Sequence, residues 1–204
     1  MTGVLELVGP WFLAAIAALL ILLRLQARRF GVADPERDGA TGGVRGWAGP
    51  ASWYVLSIGL ILLAYALYPL RISHLHLGMG GDRGLALAIG LAIGAAGSVA
   101  AFALAFARYG TIRLPASRAW PAGLVRILLA SFIDEAAFRG VVLGLVISWG
   151  WGEPAAVFGS ALVYALATRL GAPGHSRAML LGALALGIAC GISVLLTGGI
   201  AAAV

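Results

Sequence analysis

The residues best able to do chemistry stand where the surrounding composition favours them least. In Ser131-Phe-Ile-Asp134-Glu135-Ala-Ala-Phe138-Arg139-Gly140, two carboxylates and a guanidinium interrupt a run that is otherwise apolar from Leu124 to Ser148, apart from Arg126. A charge at the centre of a bilayer costs about 2.5–3.5 kcal/mol, so these groups must face one another or a wet cavity inside a bundle, not acyl chains. On a helix, Glu135 and Arg139 are one turn apart and share a face, with the acid on the N-terminal side that favours pairing. Asp134 lies about 100° round from Glu135, which aims it elsewhere and leaves it free to take a proton. Two adjacent acids in a low dielectric titrate apart, and a general base exploits that separation. The same residues also suit a purely structural role, in which Glu135–Arg139 is a buried ion pair and Asp134 bonds to a neighbouring helix. Arg126, at the start of the run, is expected to snorkel toward the headgroups.

The elements that must position these groups follow from composition. The chain has 204 residues, of which 61% are hydrophobic and 11% charged. A soluble domain carries about 25% charged residues, so a soluble fold, a disordered chain and a nucleic-acid-binding domain are all excluded. A hydrocarbon core about 30 Å thick needs roughly 20 apolar residues as a helix. Six stretches meet that need: Val4–Leu23, Ala51–Leu70, Leu85–Ala107, Leu124–Ser148, Pro154–Leu170 and Ala178–Val204. Strands would leave backbone groups unpaired in lipid. The expected fold is therefore all-α, a polytopic membrane helix bundle of about six transmembrane helices. Whether the last run is one helix or a helix with a re-entrant turn stays open. Glu6 and the lack of a basic leading segment speak against a cleaved signal peptide.

All of the basic residues are arginines, giving a formal charge of +6. Arg24, Arg28, Arg29, Arg37, Arg45, Arg108, Arg113, Arg118, Arg169 and Arg177 fall on one side if the spans alternate; Arg71 and Arg83 fall on the other. Positive charge marks the cytoplasmic side, so both termini are expected outside. Residues 28–50, with Asp34, Glu36, Arg37, Asp38 and several glycines, read as a cytoplasmic linker. The chain thus divides into N-terminal membrane helices over 1–121 and a membrane core over 122–204.

Glycines recur four residues apart at Gly90/Gly94, Gly140/Gly144 and Gly187/Gly191, spacing that lets helices pack closely in lipid. Cys190 is the single cysteine, which leaves no disulfide and no thiolate metal cluster. His74, His76 and His175 lie outside the spans and lack a zinc-binding pattern. His175 could approach the charged segment only if its turn folded back into the bundle. Trp11, Trp53, Tyr54, Tyr68, Trp120, Trp149 and Trp151 cluster at span ends, as an interfacial aromatic belt would. No cofactor motif is present.

Asp134-Glu135-x-x-x-Arg139-Gly140 resembles the Glu-Glu-x-x-x-Arg-Gly motif of the CAAX-protease and bacteriocin-processing family, also described as abortive-infection-type proteins. Ser160-Ala-Leu-Val-Tyr164-Ala-Leu-Ala-Thr168 is similar to that family's second motif, Phe-x-x-x-His. Leu180–Gly187 and Leu196-Thr197-Gly198-Gly199-Ile200 are similar to its Gly-rich helix and Thr-Gly-Ser turn. The likeness runs from Ala122 to Val204. It implies a glutamate-dependent intramembrane protease in which the first acid activates a water, while the second acid and the arginine support it. Histidines and an asparagine complete the family's site. The corresponding residues here are Asp134, Glu135, Arg139, Tyr164 and Thr168. The sequence departs from the pattern at Asp134, one methylene shorter than glutamate, and at Thr168, which replaces the histidine. The family's third motif, His-x-x-x-Asn, is expected beyond Val204.

The resemblance implies an endopeptidase of the CAAX type with a degenerate site, in a bacterial plasma membrane. Its partners would be membrane lipid and a membrane-embedded peptide or protein substrate, with no nucleic acid and no cofactor. A non-catalytic membrane partner of immunity type, binding a peptide or helix in the same cavity, is the alternative. A small transporter built on Asp134 and Glu135 is a third reading, although neither repeats nor broken helices support it.

Overall fold

The computed structural model describes residues 2–32, 44–67, 75–78, 80–110, 120–171 and 177–204. Among these the chain is helical, and the expected membrane helix bundle is what is found. Its elements are α1 (Thr2–Leu25), α2 (Val44–Leu67), α3 (Arg83–Tyr109), α4 (Trp120–Glu135), a π-helical segment (Ala136–Val142), α5 (Leu143–Ser148), α6 (Glu153–Gly171) and α7 (Arg177–Thr197). The π-helical segment joins α4 to α5 without a break, so the described residues form six helical rods.

Four helices are long and apolar enough to cross a membrane: α2 over Ala48–Leu67, α3 over Arg83–Leu104, and α6 and α7 over their full lengths. Helix α1 is 24 residues long, and its stretch Gly9–Leu25 is apolar. The α4–α5 rod carries Arg126, Asp134, Glu135 and Arg139 and is interrupted by the π-helical segment.

Local sequence explains most of the boundaries. Asp82 caps α3, its carboxylate accepting from the Leu85 amide at 3.0 Å, and Gly110 closes the helix in a left-handed conformation at φ 66°. Glu153 and Pro154 open α6, where a proline sacrifices no helical hydrogen bond. The α2 boundary departs from expectation, because the helix begins at Val44, within the stretch read as linker. A Cβ on Gly49 would lie 2.8 Å from the Phe30 carbonyl oxygen, so this turn of α2 is seated against the segment that follows α1. Much of the expected linker lies outside the described residues, as do His74 and His175.

The final apolar run proves to be a helix followed by a turn. Helix α7 ends at Thr197, Gly198 turns the chain at φ 75°, and a 3-10 turn covers Ile200–Ala202. This end is tied to the segment before α3, with the Ile200 amide donating to the His76 carbonyl at 2.9 Å and the Gly81 amide to the Thr197 carbonyl at 3.0 Å. The expected close approach of glycines holds at α7. A Cβ on Gly187 would lie 3.0 Å from the Ala161 Cβ, and one on Gly191 would lie 2.9 Å from Val157. At Gly94, by contrast, the space is open.

The buried core gathers on the π-helical segment. Ala136, Phe138, Val141 and Leu143 are almost wholly enclosed, together with Leu13, Ile16 and Leu20 of α1, Trp53 of α2 and Val194 of α7. Helix α3 lies at the periphery, with 6% of its span window buried, and shows Leu87, Leu91 and Val99 outward. In an apolar solvent such a surface has no reason to hide.

Candidate functional site

Asp134 and Glu135 are the last residues of α4, and Arg139 lies within the π-helical segment that follows. Short π-helical insertions recur at functional positions because they offset the side chains on either side from regular α-helical register. One carbonyl inside the segment receives a side-chain hydrogen bond, from Ser160 Oγ on α6 to the Phe138 oxygen at 2.6 Å. That bond attaches the irregular turn to its neighbour.

Glu135 and Arg139 form the ion pair that their spacing predicts, with Nε to Oε2 at 3.2 Å. The Arg139 guanidinium carbon also stands 4.3 Å from the centre of the Tyr164 ring. Tyr164 in turn meets Phe138 edge to face, with ring centres 5.2 Å apart. A guanidinium between a carboxylate and an aromatic face gains from both, and more so where water is scarce. Gly187 makes room for it, since a Cβ there would come within 3.2 Å of Arg139 Nη2.

The expectation that Asp134 stands free is corrected. It pairs with Arg24, from Nη2 to Oδ2 at 3.0 Å. The 100° rotation does separate it from Arg139's partner, but it turns the carboxylate toward the C-terminal end of α1 instead of an empty cavity. Arg24 is likewise corrected: it is a bundle cation, not one of the loop charges. Two acids and two arginines from three helical segments therefore balance in charge. Breaking a buried pair by removing one partner costs about 3–5 kcal/mol, far more than either pair contributes to stability net.

The two pairs differ in access. The Glu135 and Arg139 side chains are 6% and 1% exposed, whereas those of Asp134 and Arg24 are 12% and 21% exposed. Both acids are buried, and Arg24 is the most exposed member of the two pairs. Thr168 lies one turn beyond Tyr164 on α6, half-buried, with its hydroxyl lacking a hydrogen-bond partner. The structure therefore brings Asp134, Glu135, Arg139 and Tyr164 into one cluster, and Thr168 continues its α6 face without joining the ion pairs.

Sequence reading missed two contributors on α1 and α2. Arg24 ends an apolar run and so looks like any cation at a membrane edge. Trp53, read as part of the interfacial belt, is instead fully buried, and its indole N–H donates to the Leu23 carbonyl at 2.9 Å. Trp11, Trp149 and Trp151 are exposed, as a belt requires. Among the described residues no group of three His, Cys, Asp or Glu side chains could hold a metal ion. What the cluster offers is two buried carboxylates, each paired with an arginine, and guanidiniums are groups that can steady developing negative charge.

None of the curated proteins or solved structures compared with the chain matches it. Residues 115–204 match a family model described as type II CAAX prenyl endopeptidase Rce1-like. This match takes in every element from α4 to the C-terminal turn, and leaves α1, α2 and α3 outside it. The resemblance first carried by Asp134–Gly140 is borne out over residues 115–204, which are similar to the Rce1-like CAAX endopeptidases.

Proposed function

We propose that the protein is a membrane-embedded endopeptidase of the type II CAAX class, with Asp134 as the carboxylate that activates water. The observation carrying this reading is the unequal access of the two ion pairs: the carboxylate at the family's first acidic position is also the more open one. Water held at Asp134 would give a proton to the carboxylate as its oxygen attacks a peptide carbonyl. The tetrahedral intermediate then collapses with cleavage of the C–N bond, and the carboxyl proton passes to the departing amine. Glu135, held by Arg139, which itself lies over the Tyr164 ring, keeps the π-helical turn in place and supplies the fixed field around the reacting carbonyl. The substrate class is a peptide anchored in or at the membrane, in keeping with the family match. The loop arginines other than Arg24 are in keeping with both termini outside and the C-terminal end of α1 toward the cytoplasm, and we take the membrane to be a bacterial plasma membrane.

The test is cleavage of membrane-anchored peptides by the purified chain beside Asp134→Asn and Glu135→Gln. Loss at Asp134 supports the assignment; equal turnover in all three excludes it.

A second reading, a non-catalytic membrane partner that binds a peptide or helix, is favoured by one observation. Thr168, which has no basic group, occupies the position that the family resemblance gives to histidine. Under that reading the wild-type chain cleaves nothing, and a bound partner copurifies with it and is released by Arg139→Ala.

A further inference from the structure

We infer that Arg24 is a positioning residue for Asp134, so that α1, which lies outside the Rce1-like segment, completes the site. The inference rests on the endopeptidase reading for its catalytic consequence. Its structural basis is independent of that reading.

Three observations converge on the end of α1. Arg24 Nη2 reaches Asp134 Oδ2 at 3.0 Å. The carbonyl of the preceding residue, Leu23, accepts from the buried Trp53 indole at 2.9 Å, which anchors the turn to α2. The Arg24 carbonyl lies against Gly171 at the end of α6, where a Cβ would come within 2.8 Å. A cation placed merely to mark a membrane edge needs none of this. An exposed arginine side chain explores many rotamers, and fixing one is worthwhile where its partner must hold a single geometry. The backbone bearing Arg24 is held from two sides, and its guanidinium ends on the more accessible carboxylate of the cluster. A cation in the last turn of a helix is also favoured by the helix dipole, so its placement there carries no local penalty.

The consequence is a site built from both parts of the chain. Asp134 comes from the Rce1-like segment, and the group that fixes its orientation comes from a helix that the family match does not reach. Arg24 acts through Asp134 and not on the substrate.

The experiment uses the full chain in detergent, comparing wild type with Arg24→Gln, Arg24→Lys, Trp53→Phe, Asp134→Asn and the Arg24→Gln/Asp134→Asn double variant. Peptide cleavage and thermal unfolding are both measured. Arg24→Gln should lower kcat at least about tenfold with little change in KM, since a displaced carboxylate loses rate before it loses binding. Arg24→Lys should recover part of that loss, and Trp53→Phe should fall between wild type and Arg24→Gln. In unfolding, Arg24→Gln and Asp134→Asn should each lower Tm, while their double variant falls little further than the worse of the two, as coupled residues do. Additive losses in the double variant overturn the inference, as does an unchanged kcat in Arg24→Gln when Asp134→Asn has lost activity. Coupled unfolding with no turnover even in wild type supports the placement of Asp134 by Arg24 and refutes the endopeptidase reading alone.

Discussion

Arg24 and Asp134 are far apart in the chain and lie on helices whose local sequences give no hint of one another, yet their side chains meet at 3.0 Å. Glu135 and Arg139, four residues apart, meet at 3.2 Å beside them. The long-range pair is the more open of the two. On the proposed reading the two adjacent acids do different work, which yields distinct expectations for their replacement.

Asp134→Asn keeps the size and polarity of the side chain and removes its basicity. Turnover of a membrane-anchored peptide should fall by about 100-fold or more, in the range that general-base groups supply. Glu135→Gln should reduce turnover less while lowering thermal stability more, because it leaves Arg139 buried beside a neutral group. Parallel activity and melting curves separate the two effects.

Arg139→Ala strands Glu135 in a closed site and empties the space over Tyr164. It should destabilise the protein by about 3–5 kcal/mol. Arg139→Met combined with Glu135→Leu removes both charges and should recover much of that loss. Thermal unfolding in one detergent checks both, and a double variant as weak as the single would refute the pairing.

Tyr164 contributes a ring to Arg139 and to Phe138. Tyr164→Phe preserves that ring and should change stability by less than about 1 kcal/mol, whereas Tyr164→Leu forfeits the cation–π and edge-to-face contacts together, each worth about 0.5–2 kcal/mol. Equal melting temperatures for the two variants would show that the ring is not what matters.

Gly187→Ala places a methyl group against Ala161 and Arg139 Nη2, at 3.0 and 3.2 Å. Overpacking of this kind costs about 1–3 kcal/mol, and here it should also disturb the Arg139 pair. Gly182→Ala, in the same helix with open space around its Cβ, should be neutral or slightly stabilising. The contrast between them in unfolding isolates the contact from helix propensity.

Thr168→His tests whether a histidine at this position strengthens the proposed chemistry. On the endopeptidase reading it should raise turnover by about tenfold or more, because an imidazole can hold water or pass a proton where a hydroxyl cannot. No gain, with the fold intact by circular dichroism, would count against the correspondence drawn for α6.

The parts of this architecture that sequence made legible are those governed by local rules. Apolar length announced the rods, and the four-residue step announced Glu135–Arg139. The glycines of α7 announced a close helix contact, though not that α6 would be the partner. Arg24 and Trp53 escaped because their types fit two roles equally well: an arginine and a tryptophan at a helix end are what a headgroup region selects. Only the arrangement of helices decides between the surface and the interior. The π-helical segment escaped for a different reason. Ala136–Val142 contains no proline and only one glycine, so nothing local marks it, and its register is set by what it packs against.

The Trp53–Leu23 and Arg24–Asp134 contacts also bear on biogenesis. Helix α1 enters the bilayer well before α4 has been synthesised, and chains commit their N-terminal parts first. Until Asp134 arrives, the Arg24 guanidinium has no counter-ion inside the membrane, and its long side chain must wait among the headgroups. Closing that contact therefore cannot precede the synthesis of α4, and pairing of the two helices through it is a late event in maturation.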